Sequence, residues 1–438
     1  MGNIVAKFGG SSLSDAGQFR KVRDILRMDA RRVYVVPSAP GRRFDKDDKV
    51  TDLLYAVHRL HRDGGDWRGA FERVADRYRE IACGLGLCCD LEGALAAIAA
   101  AVEQGAGEDF CASRGEYLNG LLMSDFLGYA FLDPKDCIFF TAEGAFDSER
   151  TNQTLSAALA AMPNAVVPGF YGSLPDGTIH TFSRGGSDIT GAIVARAACA
   201  DVYENWTDVS GFLMADPRLV LGARPIRNIT YRELRELSYM GATVLHEDSV
   251  FPVHRAGIPT NIRNTNHPEH DGTIISHTAD GDHNPYVITG IAGRVGFSVI
   301  SVEKAMMNSE RGFGRRVLQA IEEAGLSFEH LPTGIDTLCV VLETAQLSPV
   351  RERVVSRIME LTSPDSLTIH DDMGLIATVG RGMVHNPGTA ARLFGALSRE
   401  HVNVRMIDQG SSELSILVGV DCCDFEQAIR AIYNEFVK

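Results

Sequence analysis

The stretch Ile4-Val5-Ala6-Lys7-Phe8-Gly9-Gly10-Ser11-Ser12 decides how the rest of the chain is read. Its apolar start predicts a strand, and the glycines and serines predict a tight passage into a helix, whose apolar periodicity shows from Phe19 to Arg27. A lysine ending a strand before two glycines presents backbone N–H groups and a positive helix end to a phosphate. Gly9 and Gly10 allow close backbone approach, Ser11 adds a hydroxyl, and Lys7 adds a point charge for a transferring phosphoryl group. The spacing is not that of a Walker A loop, and a plain tight turn would look the same in isolation. Working outward, Val33-Tyr34-Val35-Val36 predicts a second strand that ends at Pro37-Ser38-Ala39-Pro40-Gly41. A long helical region follows from Thr51 to Val102, then strands at Ala165-Val166-Val167 and Val202-Tyr203. Short β-branched runs alternating with helices predict an α/β fold with a largely parallel sheet between helices.

The chain of 438 residues is long enough for two or three domains, and 45% hydrophobic residues suffice for their cores. A net charge of -14 argues against nucleic acid and anionic membrane as partners, because a phosphate surface would be repelled. An anionic small substrate must then be met by a few local cations. The longest apolar stretch, Ala94 to Val102, is too short to span a bilayer, and no charged-then-apolar leader precedes the first strand, so a cytoplasmic protein is expected. Ala6 stands where a myristoylation motif requires Ser or Thr. The nine cysteines include no CxxC pair, which predicts free, mostly buried thiols.

The polar, turn-rich stretch from Asn264 to Asn284 reads as a domain boundary. Beyond it come a strand at Phe297–Val302, a helix at Phe313–Ala324, a strand at Thr337–Leu342 and a helix near Val350–Glu360. A similar order returns with strands at Leu375–Val379, Val402–Ile407 and Leu414–Val420 and helices at Gly388–Glu400 and Phe425–Phe436. These are paired small α+β modules, the second borrowing a strand from the Tyr286–Ile291 region. The expected domains are 1–280, 285–368 (completed by the C-terminal segment) and 369–438.

Three further motifs carry chemistry. In Ser183-Arg184-Gly185-Gly186-Ser187-Asp188 an Arg fork can clamp a carboxylate and the glycines let the backbone approach, while Asp188 could equally be a helix N-cap. Trp206-Thr207-Asp208-Val209-Ser210-Gly211, followed by Asp216-Pro217-Arg218, lies after a strand, where α/β proteins place ligand loops. Ser113-Arg114-Gly115-Glu116 reads as a helix start. These segments, with Ser238-Tyr239-Met240-Gly241-Ala242-Thr243-Val244-Leu245-His246 and Ile258-Pro259-Thr260-Asn261-Ile262-Arg263-Asn264, resemble the monofunctional aspartate kinases (aspartokinases) of the amino-acid-kinase superfamily. The tail resembles their tandem, ferredoxin-like ACT modules, and the likeness covers essentially the whole chain.

The resemblance implies ATP with Mg2+ as cosubstrate, L-aspartate as acceptor and acyl-phosphate formation as the reaction. Lys7 and Asp188 would be catalytic, and Gly9, Gly10 and Ser11 would bind phosphate. Arg184 would clamp the aspartate α-carboxylate and Glu116 its ammonium, with Ser38, Thr51, Gly185, Gly186 and Ser187 lining the pocket. Thr207, Asp208, Leu213, Arg218 and Thr243 would stand at the nucleotide, and no protein side chain would ligate the metal. Thr243 replaces a lysine and Leu213 a tyrosine common in the family, and Ser183 stands for its usual glycine. Another cation must therefore meet the phosphates, with Arg218 the first candidate, or Mg2+ must carry more of the charge. An amino-acid effector, lysine or threonine, is expected at Met307, Glu310, Gly312, Phe313, Gly314 and Glu329, where Met307 and Phe313 could instead be core. A homodimer or tetramer through the ACT modules is implied. A kinase for another small acceptor and an inactive amino-acid sensor are the competing readings.

Overall fold

In a computed structural model that describes residues 2–183, 185–242, 250–278 and 285–438, the opening apolar run forms β1 (Ile4–Phe8), buried at every position. It is followed by β2 (Arg32–Pro37), β3 (Ala130–Phe131), β4 (Ala165–Val166), the hairpin of β5 (Tyr171–Ser173) and β6 (Ile179–Thr181), β7 (Val202–Thr207), β8 (Asn228–Thr230), β9 (Thr260–Asn264) and β10 (Thr273–Ser276). All but the hairpin join one sheet of order β3-β4-β2-β1-β7-β9-β10-β8. Every neighbouring pair in it is parallel except β9 with β10. Continuous rather than alternating apolar runs in β1 and β2 fit central strands covered on both faces. The turn-rich stretch after Asn264 is more than a boundary, because it contains β10.

The long helical region is three helices, Val50–Arg62, Trp67–Leu85 and Leu91–Glu103. Local chemistry makes the breaks: Asp66 and Asp90 cap the second and third by accepting from Gly69 N and Gly93 N, and Gly86 ends the second at φ 68°. The strand alternation then sorts the sheet's two faces. Ala6, Phe8, Val35 and Trp206 belong to the core built with the helices between Ala16 and Leu127. The intervening residues face the other way, where the helix Gly186–Ala197 packs on β1, β2 and β7. β1 and β7 align Lys7 with Asn205, so these side chains share that second face.

The core face also holds a buried charge cluster. Glu204 accepts from Arg32 at 2.7 and 3.0 Å and from Trp206 Nε1 at 2.8 Å, with Arg263 at 3.5 Å. Its side chain is 4% exposed, so removing its charge strands two guanidinium groups near the core. Glu204→Gln is expected to destabilise this unit by about 3–5 kcal/mol. The chain has two tryptophans, Trp67 and Trp206, both in this unit, so the urea midpoint followed by fluorescence reads it directly. A shift equivalent to less than about 1 kcal/mol would reject the assignment.

Packing divides the chain into two units: Met1–Phe212, Pro225–Tyr231 and Val244–Gly281 form one, and Leu213–Arg224, Arg232–Thr243 and Asp282–Lys438 the other. The second contains β11 (Gly290–Glu303), β12 (Thr337–Glu343), β13 (Ser366–Val379), β14 (Met406–Asp408) and β15 (Ser415–Asp421) in an antiparallel sheet of order β12-β11-β13-β15-β14. β11 and β13 pair from Gly290–Val379 to Glu303–Ser366, interrupted by bulges between Val295 and Val299. The second module is therefore completed by the first half of β11, Gly290–Val295, and β13 runs through the expected division at 368/369 as one strand. In the first module the segment leading into β12 carries isolated bridges, His330–Val341 and Thr333–Leu338. The strand expected over Val402–Ile407 is confined to Met406–Asp408, although Val402 is buried.

All nine cysteines are free, but only Cys111 and Cys137 are buried, which corrects the expectation of mostly buried thiols. Cys88, Cys199 and Cys423 lie in loops or at a helix start rather than on a core face, and Cys83 lies on the exposed side of its helix. Among the described residues no helix is long and apolar enough to cross a membrane.

Candidate active site

Gly9 N donates to Trp206 O at 3.0 Å and Gly41 N to Gly10 O at 2.8 Å, which seats the glycine turn between β7 and the loop after β2. A Cβ on Gly10 would stand 2.9 Å from Ala39 O, and one on Gly41 would stand 2.6 Å from Gly10 C. The two backbones pass so closely that only glycine fits at either position. Beside this crossing opens a cavity of about 560 Å3, a size suited to a small-molecule ligand. It brings together Lys7, Gly9, Gly10, Ser11, Ser38, Thr51, Glu116, Gly185, Gly186, Ser187, Asp188 and Asp208.

Its charged centre is Lys7. The ammonium lies 2.5 Å from Asp188 Oδ1 and 3.3 Å from Asn205 Oδ1, and Asn205 Nδ2 donates to Asp188 Oδ1 at 2.8 Å. Asp188 is not the helix N-cap: that place belongs to Gly185, at φ 66°. The Asp188 carboxylate thus orients the lysine instead of closing the helix end. Asn205 is a site residue that the motifs did not single out. Its role depends on the β1–β7 register, a signal that local spacing does not carry.

Glu116 forms the opposite kind of site. The segment Ser113–Glu116 lies in the middle of the helix Glu108–Leu127 rather than at its start, and all four residues are buried. Tyr78 OH donates to Gly115 O at 2.6 Å, and Asn119 Nδ2 to Ser38 O at 2.6 Å, fixing the helix against the cavity wall. Arg114 points among Phe110, Tyr117 and Tyr171, with its guanidinium 4.6 Å, 4.6 Å and 5.1 Å from their rings. Burial pushes the Glu116 carboxyl up to about 7, against the N–H groups of Ala39 and Glu116 and the charges of Arg114 and Lys7. Its Oε2 has no hydrogen-bond partner among the described residues. A buried acceptor left open in a cavity wall suits a cationic ligand group.

Other expected site residues fall elsewhere. Thr207 does not line the cavity; its hydroxyl donates to Asp208 Oδ1 at 3.2 Å. Leu213 and Arg218 lie in the segment that packs with the second unit, and Arg218 is 87% exposed and bonded to Asp216 at 2.6 Å. Arg184 and Thr243 lie outside the described residues. In the second unit Met307 and Phe313 are core residues. Glu310 is paired with Lys304 at 2.7 Å and with Arg316, Gly312 caps the helix Phe313–Glu323 at φ 76° with Gly314 following inside it, and Glu329 lies 3.9 Å from Arg294. The cavity adds Arg42 and Lys49, which sequence reading passed over because they stand in a run of mixed charge.

A glycine turn with a buried lysine, facing an open carboxylate across one cavity of an α/β sheet, can hold a phosphoryl donor beside an amine-bearing acceptor. The amino acid kinase family model matches residues 3–264, and an ACT domain model matches residues 376–436. The chain belongs to the amino acid kinase family. It is 38% identical to aspartokinase 3 of Bacillus subtilis over 99% of this chain and 98% of that protein. Its fold matches the crystal structure of Clostridium acetobutylicum aspartate kinase, an allosteric enzyme, with TM-score 0.93 and 47% identity over the whole of both chains. Escherichia coli aspartokinase III in complex with lysine and aspartate matches with TM-score 0.75 and 25% identity over the whole of both chains. Within the family, this chain is an aspartate kinase.

Proposed function

We propose that the chain transfers the γ-phosphoryl group of ATP to the side-chain carboxylate of L-aspartate, giving 4-phospho-L-aspartate and ADP as the first step toward lysine, threonine and methionine. The observation carrying this reading is a single cavity lined by both the Lys7 glycine turn and the open Glu116 carboxylate. An aspartate side chain is ionised at neutral pH, so its oxygen can attack phosphorus without a general base. One O–P bond forms, the β–γ O–P bond breaks, and ADP leaves with the electron pair. Lys7 meets the phosphoryl charge, held in place by Asp188 and Asn205, with the Gly9 turn beside it and the N–H groups of Gly10 and Ser11 as its backbone donors. Glu116 pairs with the substrate ammonium; Ser38, Thr51 and Gly185 to Ser187 shape its pocket, with Arg184 reserved for the α-carboxylate. Thr207 and Asp208 belong to the nucleotide side.

Mg2+ fits as a metal that arrives on the triphosphate, where it neutralises phosphate charge. Asp188 is engaged by Lys7 and Asn205, which leaves Asp208, bonded among the described residues by the neutral Thr207 hydroxyl alone, as the lining carboxylate suited to hold the hydrated ion. The domain reading is a catalytic domain over 1–280 followed by ACT modules over 285–368 and 369–438 that share β11 and β13. These modules would pair in a homodimer or tetramer and bind lysine or threonine as feedback effector. The test is trapping of the acyl phosphate with hydroxylamine. Hydroxamate should form from aspartate and ATP, not from glutamate, and should fall with millimolar lysine or threonine. No hydroxamate from aspartate would reject the catalytic reading, and insensitivity to both amino acids the regulatory one.

A further inference from the structure

The loop between β2 and the helix Val50–Arg62 sorts its charges in two directions. Asp47 is bonded by Arg43 Nε at 3.0 Å and by Arg77 at 2.6 Å, which hold its carboxyl well below the usual carboxylate range. Asp48 is bonded by Arg73, and Glu80 by Arg43 at 2.7 Å. Arg77, buried, also donates to Gly41 O at 3.1 Å, so this outward network clamps the loop beside the glycine turn. Arg42 and Lys49 take no part in it. Both line the cavity, and neither has an ion-pair or side-chain hydrogen-bond partner among the described residues.

The cavity's charge balance gives these two cations a task. Among the described residues its charged lining is Lys7, Arg42 and Lys49 against Glu116, Asp188 and Asp208. With Lys7 already neutralised by Asp188 and Arg184 reserved for the aspartate α-carboxylate, the described lining without Arg42 and Lys49 would present carboxylates to a triphosphate. Such a lining would repel the triphosphate. Arg218 cannot fill the gap while its guanidinium is held by Asp216.

We infer that Arg42 and Lys49 bind the transferring phosphoryl group, supplying the charge that Thr243 does not. This rests on the proposed phosphoryl transfer in the same cavity. Arg42 follows directly on Gly41, whose N–H is fixed to Gly10 O at 2.8 Å, so its cation stands beside the phosphate turn. Lys49 enters from the start of the next helix. Arg42 is the stronger contributor because a guanidinium can engage two phosphate oxygens.

The experiment measures steady-state kinetics and equilibrium binding of MgATP and MgADP for Arg42→Ala, Arg42→Lys, Lys49→Ala and, as control, Arg62→Ala. Arg42→Ala should lower kcat/KM for ATP about 100-fold and Lys49→Ala about 10-fold, with the aspartate KM changed less than about threefold. Affinity for MgADP, which lacks the γ-phosphate, should change less than about threefold, and Arg42→Lys should recover about a third or more of the lost rate. Arg62→Ala, exposed at the far end of its helix and paired with Asp63 at 3.0 Å, should behave as wild type. Folded Arg42→Ala and Lys49→Ala proteins with normal ATP kinetics would overturn the inference, as would an effect confined to aspartate KM or an equal loss of ADP affinity. Failure of the underlying reading looks different: the wild-type protein itself would yield no aspartyl hydroxamate.

Discussion

Lys7→Ala is expected to lower kcat by about 10²–10³-fold or more while leaving the protein folded. Lys7 lies at the end of a strand whose neighbours are fixed on both sides, so its backbone position does not depend on its side chain. What the substitution removes is the ammonium 2.5 Å from Asp188, together with its bond to Asn205. Asp188 is 21% exposed and retains the Asn205 amide at 2.8 Å, so water can solvate the carboxylate left behind. The fold therefore survives, but the cavity becomes more negative where a phosphoryl group must pass between two anions. The loss should appear in kcat rather than in aspartate KM, because the developing phosphoryl charge is met in the transition state. Hydroxamate formation under saturating substrates measures it. A folded Lys7→Ala protein within tenfold of wild-type kcat would remove Lys7 from the chemistry and would revive the reading of the glycine segment as a plain turn.

The contrast between Lys7 and Asn205 marks what the sequence could disclose. Lys7 is legible because strand, lysine and glycines are consecutive, and the α/β order is legible because the apolar periods are local. Asn205 becomes functional only through the parallel register that sets it opposite Lys7, a relation between residues 198 positions apart. Glu116 was read as a ligand group, yet its placement at a helix start failed. The helix instead begins after Gly107, with Glu108 and Asp109 in its first turn. Buried polar residues inside a helix leave no amphipathic stripe, so local pattern could not centre it. Arg42 and Lys49 were hidden for another reason. In sequence they are two cations among seven charged residues between 42 and 49, and only folding shows that Asp47 and Asp48 are taken by Arg43, Arg73 and Arg77. A borrowed strand for the second module is legible near Tyr286–Ile291, but the length of β11 and β13 through both modules is not, because a strand serving two modules repeats in neither.

Glu116→Gln should raise the aspartate KM by about 10²-fold and leave the ATP KM little changed, since it keeps the shape but removes the charge that meets the ammonium. The pH dependence separates this from a packing effect. In the free protein burial raises the carboxyl to about 7. Below that value the group is mostly protonated, and binding an ammonium must first expel the proton. The wild-type kcat/KM for aspartate should therefore fall about tenfold per unit below pH 7 and level off above it, while the Glu116→Gln protein should lack this limb. Stability should move in the opposite sense. A carboxyl whose folded pKa lies above its unfolded value of 4.5 favours the folded state below that value, and the advantage disappears as pH rises through about 7. At pH 8 the wild type holds a buried charge that the neutral amide of the variant avoids, so the variant should be the more stable by on the order of 2–3 kcal/mol, with the gap closing toward pH 5. A variant that loses aspartate affinity and is also less stable at pH 8 would make Glu116 a structural residue. One that binds poorly but resists urea better identifies a buried charge kept for the substrate at the expense of the fold.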